Sequence, residues 1–131
     1  MRKIARLITP LLLVPLFLGA PTRPAKAQAD FDCKAPQTQM AMNVCAGEDY
    51  QAADEELNAV WSDLRDARRD SSTWQAILDA QRLWIPFRDA HCNAEAALYE
   101  GGSIQPLIRF SCLAHTTRQR TAQLRDLLMQ P

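Results

Sequence analysis

Between residues 38 and 129 apolar side chains recur every three or four positions, the period of a helix that buries one face. The spacing predicts four helices. A short first helix starts at Thr38, whose hydroxyl can cap free backbone N–H groups. It ends near Gly47, a residue able to take the left-handed terminal conformation. A second runs from about Asp49 to Asp70 on the stripe Tyr50, Ala53, Leu57, Val60, Leu64 and Ala67, widened by Trp61. A third opens at Ser72, where Ser72-x-x-Gln75 fits a capping box, and its stripe holds Trp74, Ile77, Leu78, Trp84, Ile85, Cys92 and Leu98. Pro86 lies inside it, removes one backbone hydrogen bond and predicts a kink near Arg82. A fourth runs from about Ser103 to Met129, with Pro106 in its first turn and Leu113, Thr117, Arg120, Leu124 and Leu127 facing inward. No alternating run rich in Val, Ile and Thr occurs, and no Asn-Gly or Asp-Gly turn. The expected fold is all-α: a small helical bundle with one short N-terminal helix plus three longer helices.

The first 29 residues follow another pattern. They hold Arg2, Lys3, Arg6, Arg23 and Lys26 but no acid, and residues 7–20 are almost wholly apolar. Ala25-Lys26-Ala27 and Ala27-Gln28-Ala29 follow as small-x-small sites. A basic start, a short apolar run and such a site make a secretory signal peptide, expected to be cleaved after Ala27 or Ala29. The competing reading is a membrane anchor. The apolar run is short for about 30 Å of hydrocarbon, and Pro10 and Pro15 interrupt it. Residues 30–131 are then expected to form one exported domain, periplasmic or secreted, with no stable membrane insertion.

Cleavage changes the charge. The full chain balances 15 basic against 15 acidic residues; without the leader, ten basic residues face all 15 acids, a net −5. That balance disfavours nucleic acid and anionic membrane surfaces as partners and suits a cationic protein. Acids gather at Glu48, Asp49, Asp54, Glu55 and Glu56, the expected start of the second helix, and Arg65, Arg68 and Arg69 gather at its end. Compensation of the helix dipole accounts for both clusters, and a docking face is the functional alternative for the acids.

Cys33, Cys45, Cys92 and Cys112 allow three pairings. Cys92 and Cys112 each lie ten residues from Gly102. If antiparallel helices meet at the loop Gly101-Gly102-Ser103, the two stand level and within bridging distance. Cys33 then pairs with Cys45. Zinc is the alternative, held by His91-Cys92 and Cys112-x2-His115, but an oxidising compartment favours the bridges. Neither His91 nor His115 sits in a nucleophile motif, and no phosphate loop, EF-hand loop or zinc-protease motif occurs. The expectation is a protein that is not an enzyme and needs no cofactor or metal.

Gln81, Arg88 and Glu95 recur at intervals of seven on the third helix, and Arg120 shares the inward line of the fourth. A buried charge is costly unless paired, so these four are expected to form a buried polar network that sets helix register. A recognition groove is the alternative. The three Trp are assigned to the core, with an interface anchor as the other reading.

The order of several short patterns resembles the LprI-type lysozyme-inhibitor domain. They are Asp32-Cys33, Thr38-Gln39-x-x-Met42-Asn43-x-Cys45, Ala53-Asp54-x-x-Leu57-Asn58-x-x-Trp61 and Gln81-x-x-Trp84-x-x-x-Arg88-x-x-x-Cys92-x-x-Glu95. Gly101-Gly102-Ser103, Cys112, Thr117-x-x-Arg120 and Leu124 complete the series, over roughly residues 32–128. Ala41 stands where such domains usually carry Glu, and Trp61 where Tyr is common. The resemblance implies a helical exported domain and, for its namesake branch, inhibition of lysozyme. The implied partner is lysozyme or another cationic envelope or host protein. Candidate contacts are Glu48, Asp49, Asp54, Glu55 and Glu56, with Gly101, Gly102 and Ser103 as a possible insert.

Overall fold

The computed structural model describes residues 31–130. The signal-peptide assignment falls on residues 1–29, outside the described residues. Three helices follow one another: α1 (Gln39–Arg68), α2 (Trp74–Ala97) and α3 (Gln105–Met129). Contacts run antiparallel between α2 and α3, as in Gln81 with Arg120 and Asn93 with Arg109, and parallel between α1 and α3, as in Asp49 with Arg118 and Glu56 with Arg125. The topology is therefore up-down-up. α3 packs most extensively on α1 and also on α2, whereas the backbones of α1 and α2 scarcely approach each other and the two meet through long side chains.

The expected division into one short and three longer helices is corrected here. α1 is continuous through Gly47, because nothing drives that residue into the left-handed region; among the described residues only Gly101 has a positive φ, at 78°. Instead Gly47 packs beneath Phe110 of α3. A Cβ there would lie 3.8 Å from the ring, an ordinary van der Waals contact. Glycine inside a helix costs stability through its backbone freedom. Gly47→Ala is therefore expected to stabilise the domain by about 0.5–1 kcal/mol. At about 4–8 °C per kcal/mol for a chain of this size, thermal unfolding should shift up by several degrees. A helix ending at Gly47 would instead make the same change destabilising.

Thr38 caps α1, accepting from Ala41 N at 3.1 Å. The expected capping box at Ser72 is absent. The cap of α2 is Thr73, without a side-chain cap bond, and Gln75 donates to Asp79 instead. α2 runs unbroken through Pro86, which is exposed. Its expected stripe is also revised: Ile85 and Leu98 face solvent, while Gln81, Arg88, Cys92 and Ala96 point inward.

Two apolar clusters hold the bundle. Leu57, Val60, Leu64 and Leu124 form one, with Trp61, Ile77 and Trp84 packed on it. Cys92, Cys112 and Leu113 form the other, edged by Tyr50 and Phe110. Bridges join Cys33 to Cys45 and Cys92 to Cys112. Among the described residues no helix is long and apolar enough to cross a membrane.

Candidate functional site

The inward face of α2 places a charge between the two clusters. Arg88, with 9% of its side chain exposed, donates from Nη1 to Asp54 at 3.1 Å and to Thr117 Oγ1 at 3.3 Å, and from Nε to Asp89 at 2.9 Å. Its guanidinium also lies 5.5 Å from the Tyr50 ring centroid and 5.1 Å from that of Trp84. Burial opposes this charge, yet the hydrogen bonds to Asp89 and Asp54 outweigh it and hold the group above its ordinary pKa. Burial likewise pushes the Tyr50 phenol up. Arg120 has no such compensation: burial pulls it below its ordinary value. Its Nε donates to Gln81 Oε1 at 2.9 Å, and its guanidinium stands 5.9 Å from Trp84.

Because α1 and α2 stand apart above α3, they leave a groove of about 320 Å³ over this seam. Asp54, Leu57, Asn58 and Trp61 line it from α1, and Gln81, Trp84, Ile85 and Arg88 from α2. Seven of these eight belong to two of the quoted patterns, Ala53 to Trp61 and Gln81 to Glu95; Ile85 is the eighth. Trp61 also lies against Trp74, their centroids 5.3 Å apart. All three Trp are half-buried, at the edge of the core rather than inside it.

The structure brings Gln81, Arg88 and Arg120 together but leaves Glu95 out. Glu95 is exposed, beside His91 and Cys112, and Asp54 takes the role expected of it. Cys92 and Ala96 occupy the inward positions at that end of α2, so Glu95 turns outward. Sequence reasoning missed Asp54 as the partner of Arg88 because the two sit on different helices. The sulfurs near His91 and near Glu48 belong to the two bridges and are not thiolates available for a metal.

The acidic residues are likewise redistributed. They lie within α1, not at its start, so the first turn of α1 holds no acid and dipole compensation does not explain them. Asp49 pairs with Arg118 at 2.6 Å and Glu56 with Arg125 at 2.5 Å, each one heptad from the next, which ties α1 to α3. The Arg118 hydrogen bonds hold the Asp49 carboxyl below its ordinary value. Glu48 and Glu55 make no ion pair among the described residues and share the outward face of α1. At the far end of the bundle Gly101, Gly102 and Ser103 are exposed, and Asn43 of α1 donates to the Ser103 carbonyl at 2.9 Å.

A three-helix, two-disulfide domain with a charged seam between apolar clusters and an aromatic groove above it defines a small extracytoplasmic-type helical module. The chain belongs to the lysozyme inhibitor LprI family, whose pattern matches residues 32–124. It is similar to an uncharacterized protein of Rhizobium meliloti (strain 1021), with 37% identity over 120 residues, covering 82% of this chain and 86% of that protein. It is also similar to a DUF1311 family protein of Pseudomonas putida KT2440, solved as a crystal structure at 1.85 Å. That likeness has a TM-score of 0.63 and 27% identity, and covers 72% of this chain and 97% of the other.

Proposed function

We propose that this protein is an exported binding protein that blocks a cationic, lysozyme-type muramidase by occluding it, without chemistry of its own. Export follows cleavage after Ala27 or Ala29 and ends in the periplasm or outside the cell. Membership of the lysozyme inhibitor family carries the reading. The net −5 of residues 30–131 supports it, since complementary charge steers association with a basic enzyme. Of the candidate acids, Glu48 and Glu55 are exposed and make no ion pair among the described residues, Glu55 accepting only from Gln51 of its own helix, whereas Asp49, Asp54 and Glu56 pair with arginines of the bundle. The exposed Gly101–Ser103 loop is the candidate insert.

Titrating the purified oxidised protein against c-type lysozyme, read as cell-wall lysis, tests this. Loss of lysis should saturate near one inhibitor per enzyme. Glu48→Lys with Glu55→Lys should slow association at least severalfold at low salt and flatten its salt dependence. Unchanged rates at every salt concentration would remove this face.

A second reading is a periplasmic structural or interaction module that binds another envelope protein or cell-wall material, and the outer face of α2 favours the protein partner. Ala76, Ala80, Leu83, Phe87, Ala90, Ala94 and Ala97 alternate by four and three and are all exposed, Leu83 at 73% and Phe87 at 59%. This is the spacing with which one amphipathic helix packs on another. No inhibition at large excess, with binding to an envelope protein abolished by Leu83→Glu, would favour this reading.

A further inference from the structure

We infer that the groove between α1 and α2 is a saccharide site, which binds one pyranose unit of a neutral glycan. This goes beyond the inhibitor reading and does not rest on it. The groove's volume, about 320 Å³, lies at the lower end of small-ligand clefts, which run about 300–1,000 Å³. At about 30 Å³ per water it displaces some ten waters, room for one sugar ring with its hydroxyls.

The lining has two characters that a sugar ring combines. Trp61 and Trp84 are half-buried, partly covered by Trp74 and by the guanidiniums of Arg88 and Arg120, and the part of each that lines the groove gives it an apolar side for the C–H face of a ring. Between them stand polar atoms with unused capacity. Asn58 gives its Nδ2 to Asp54 Oδ2 at 3.1 Å, which leaves its carbonyl oxygen as an acceptor. Gln81 is only 5% exposed and uses its Oε1 on Arg120. Its Nε2 has no partner among the described residues and is not wholly shut off from solvent, and Gln81 itself lines the groove, which makes this amide the available donor there. One free acceptor and one free donor suit hydroxyls, which do both.

Charge narrows the class further. In the groove wall and directly behind it, the cations Arg88 and Arg120 meet the carboxylates Asp54 and Asp89, and the sum is zero. A phosphate would meet Asp54, and a cation would meet Arg88. A neutral polyhydroxylated ring meets neither penalty. An N-acetylated amino sugar and a plain hexose share this chemistry.

The test is titration of the purified oxidised protein, with no lysozyme present, by the β-1,4-linked trisaccharide of N-acetylglucosamine and separately by maltotriose. Tryptophan fluorescence and calorimetry supply the readouts. We expect saturable binding with Kd on the order of 1 mM. Asn58→Ala, at an exposed position with a single side-chain bond, should keep the helical circular dichroism and weaken binding at least threefold. Trp61→Phe should weaken it about tenfold. Binding of the N-acetylated sugar alone assigns an amino-sugar glycan, and equal binding of both assigns a hexose ring in general; each supports the site. No saturable signal with either sugar at 20-fold that Kd, or binding unchanged in both variants, would overturn it. Inhibition of lysozyme is read separately, so failure of one proposal is distinguishable from failure of the other.

Discussion

Arg88→Ala is expected to destabilise the domain by about 3 kcal/mol, the lower end of the cost of breaking a buried ion pair. The lower end applies because the partners are not trapped: the Asp54 and Asp89 side chains are 37% and 46% exposed and can rehydrate. Two further losses keep the effect from falling below that. Thr117, fully buried, loses a hydrogen-bond donor, and Tyr50 and Trp84 lose the cation packed against them. For a domain of this size each kcal/mol corresponds to about 4–8 °C, so thermal unfolding should fall by at least 12 °C or so. Arg88→Met fills most of the same volume without a charge to solvate and should recover more than half of the loss. If Arg88→Ala costs less than about 1 kcal/mol, solvent already screens the pair, and the arginine belongs to the groove rather than to the framework.

Arg88 also shows what could be read in advance. Its recurrence with Gln81 at a heptad interval marked the inward face of α2, and both residues are buried. Glu95 sat on the same heptad line, but an α-helix drifts about 20° per heptad, and the bridge at Cys92 settles which residue faces α3 at that end. Choosing Asp54 over Glu95 needed the placement of α1 beside α2, a tertiary fact. Gly47 failed for a similar reason. Glycine permits both a helix stop and a helix interior, and Phe110, the residue it packs beneath, lies 63 positions along the chain. The acids of α1 read as a helix start only for a helix that begins at Asp49. Once α1 extends back to Gln39, Asp49 and Glu56 become rungs toward α3, spaced like their partners Arg118 and Arg125. The two patterns that converge on the groove were visible from the start. Their convergence was not, because periodicity gives each helix a face but not a neighbour.

Opening the two disulfides should give unequal losses, and the inequality follows from where each bridge sits. Closing loops of 12 and 20 residues restricts the unfolded chain by about 2.8 and 3.3 kcal/mol on a loop-entropy argument, nearly the same. The folded sides differ. Cys92 is completely buried and Cys112 nearly so, packed on Leu113 in the cluster that joins α2 to α3. Cys92→Ala with Cys112→Ala therefore adds a packing loss of about 1 kcal/mol or more to the entropy, about 4 kcal/mol in all. Cys33 is exposed, in a segment before α1 whose residues 32–35 are all exposed. Without its bridge this segment can detach while the three helices stay folded, so the freed chain entropy appears in the native state too. Cys33→Ala with Cys45→Ala should then cost well under the full 2.8 kcal/mol, about 1 kcal/mol. Urea unfolding of both double variants measures the difference through their midpoints, with the slope checked for constancy. Equal losses would mean that the N-terminal segment is bound to the bundle as firmly as α2 is, and that the core of the domain begins at the first cysteine rather than at α1.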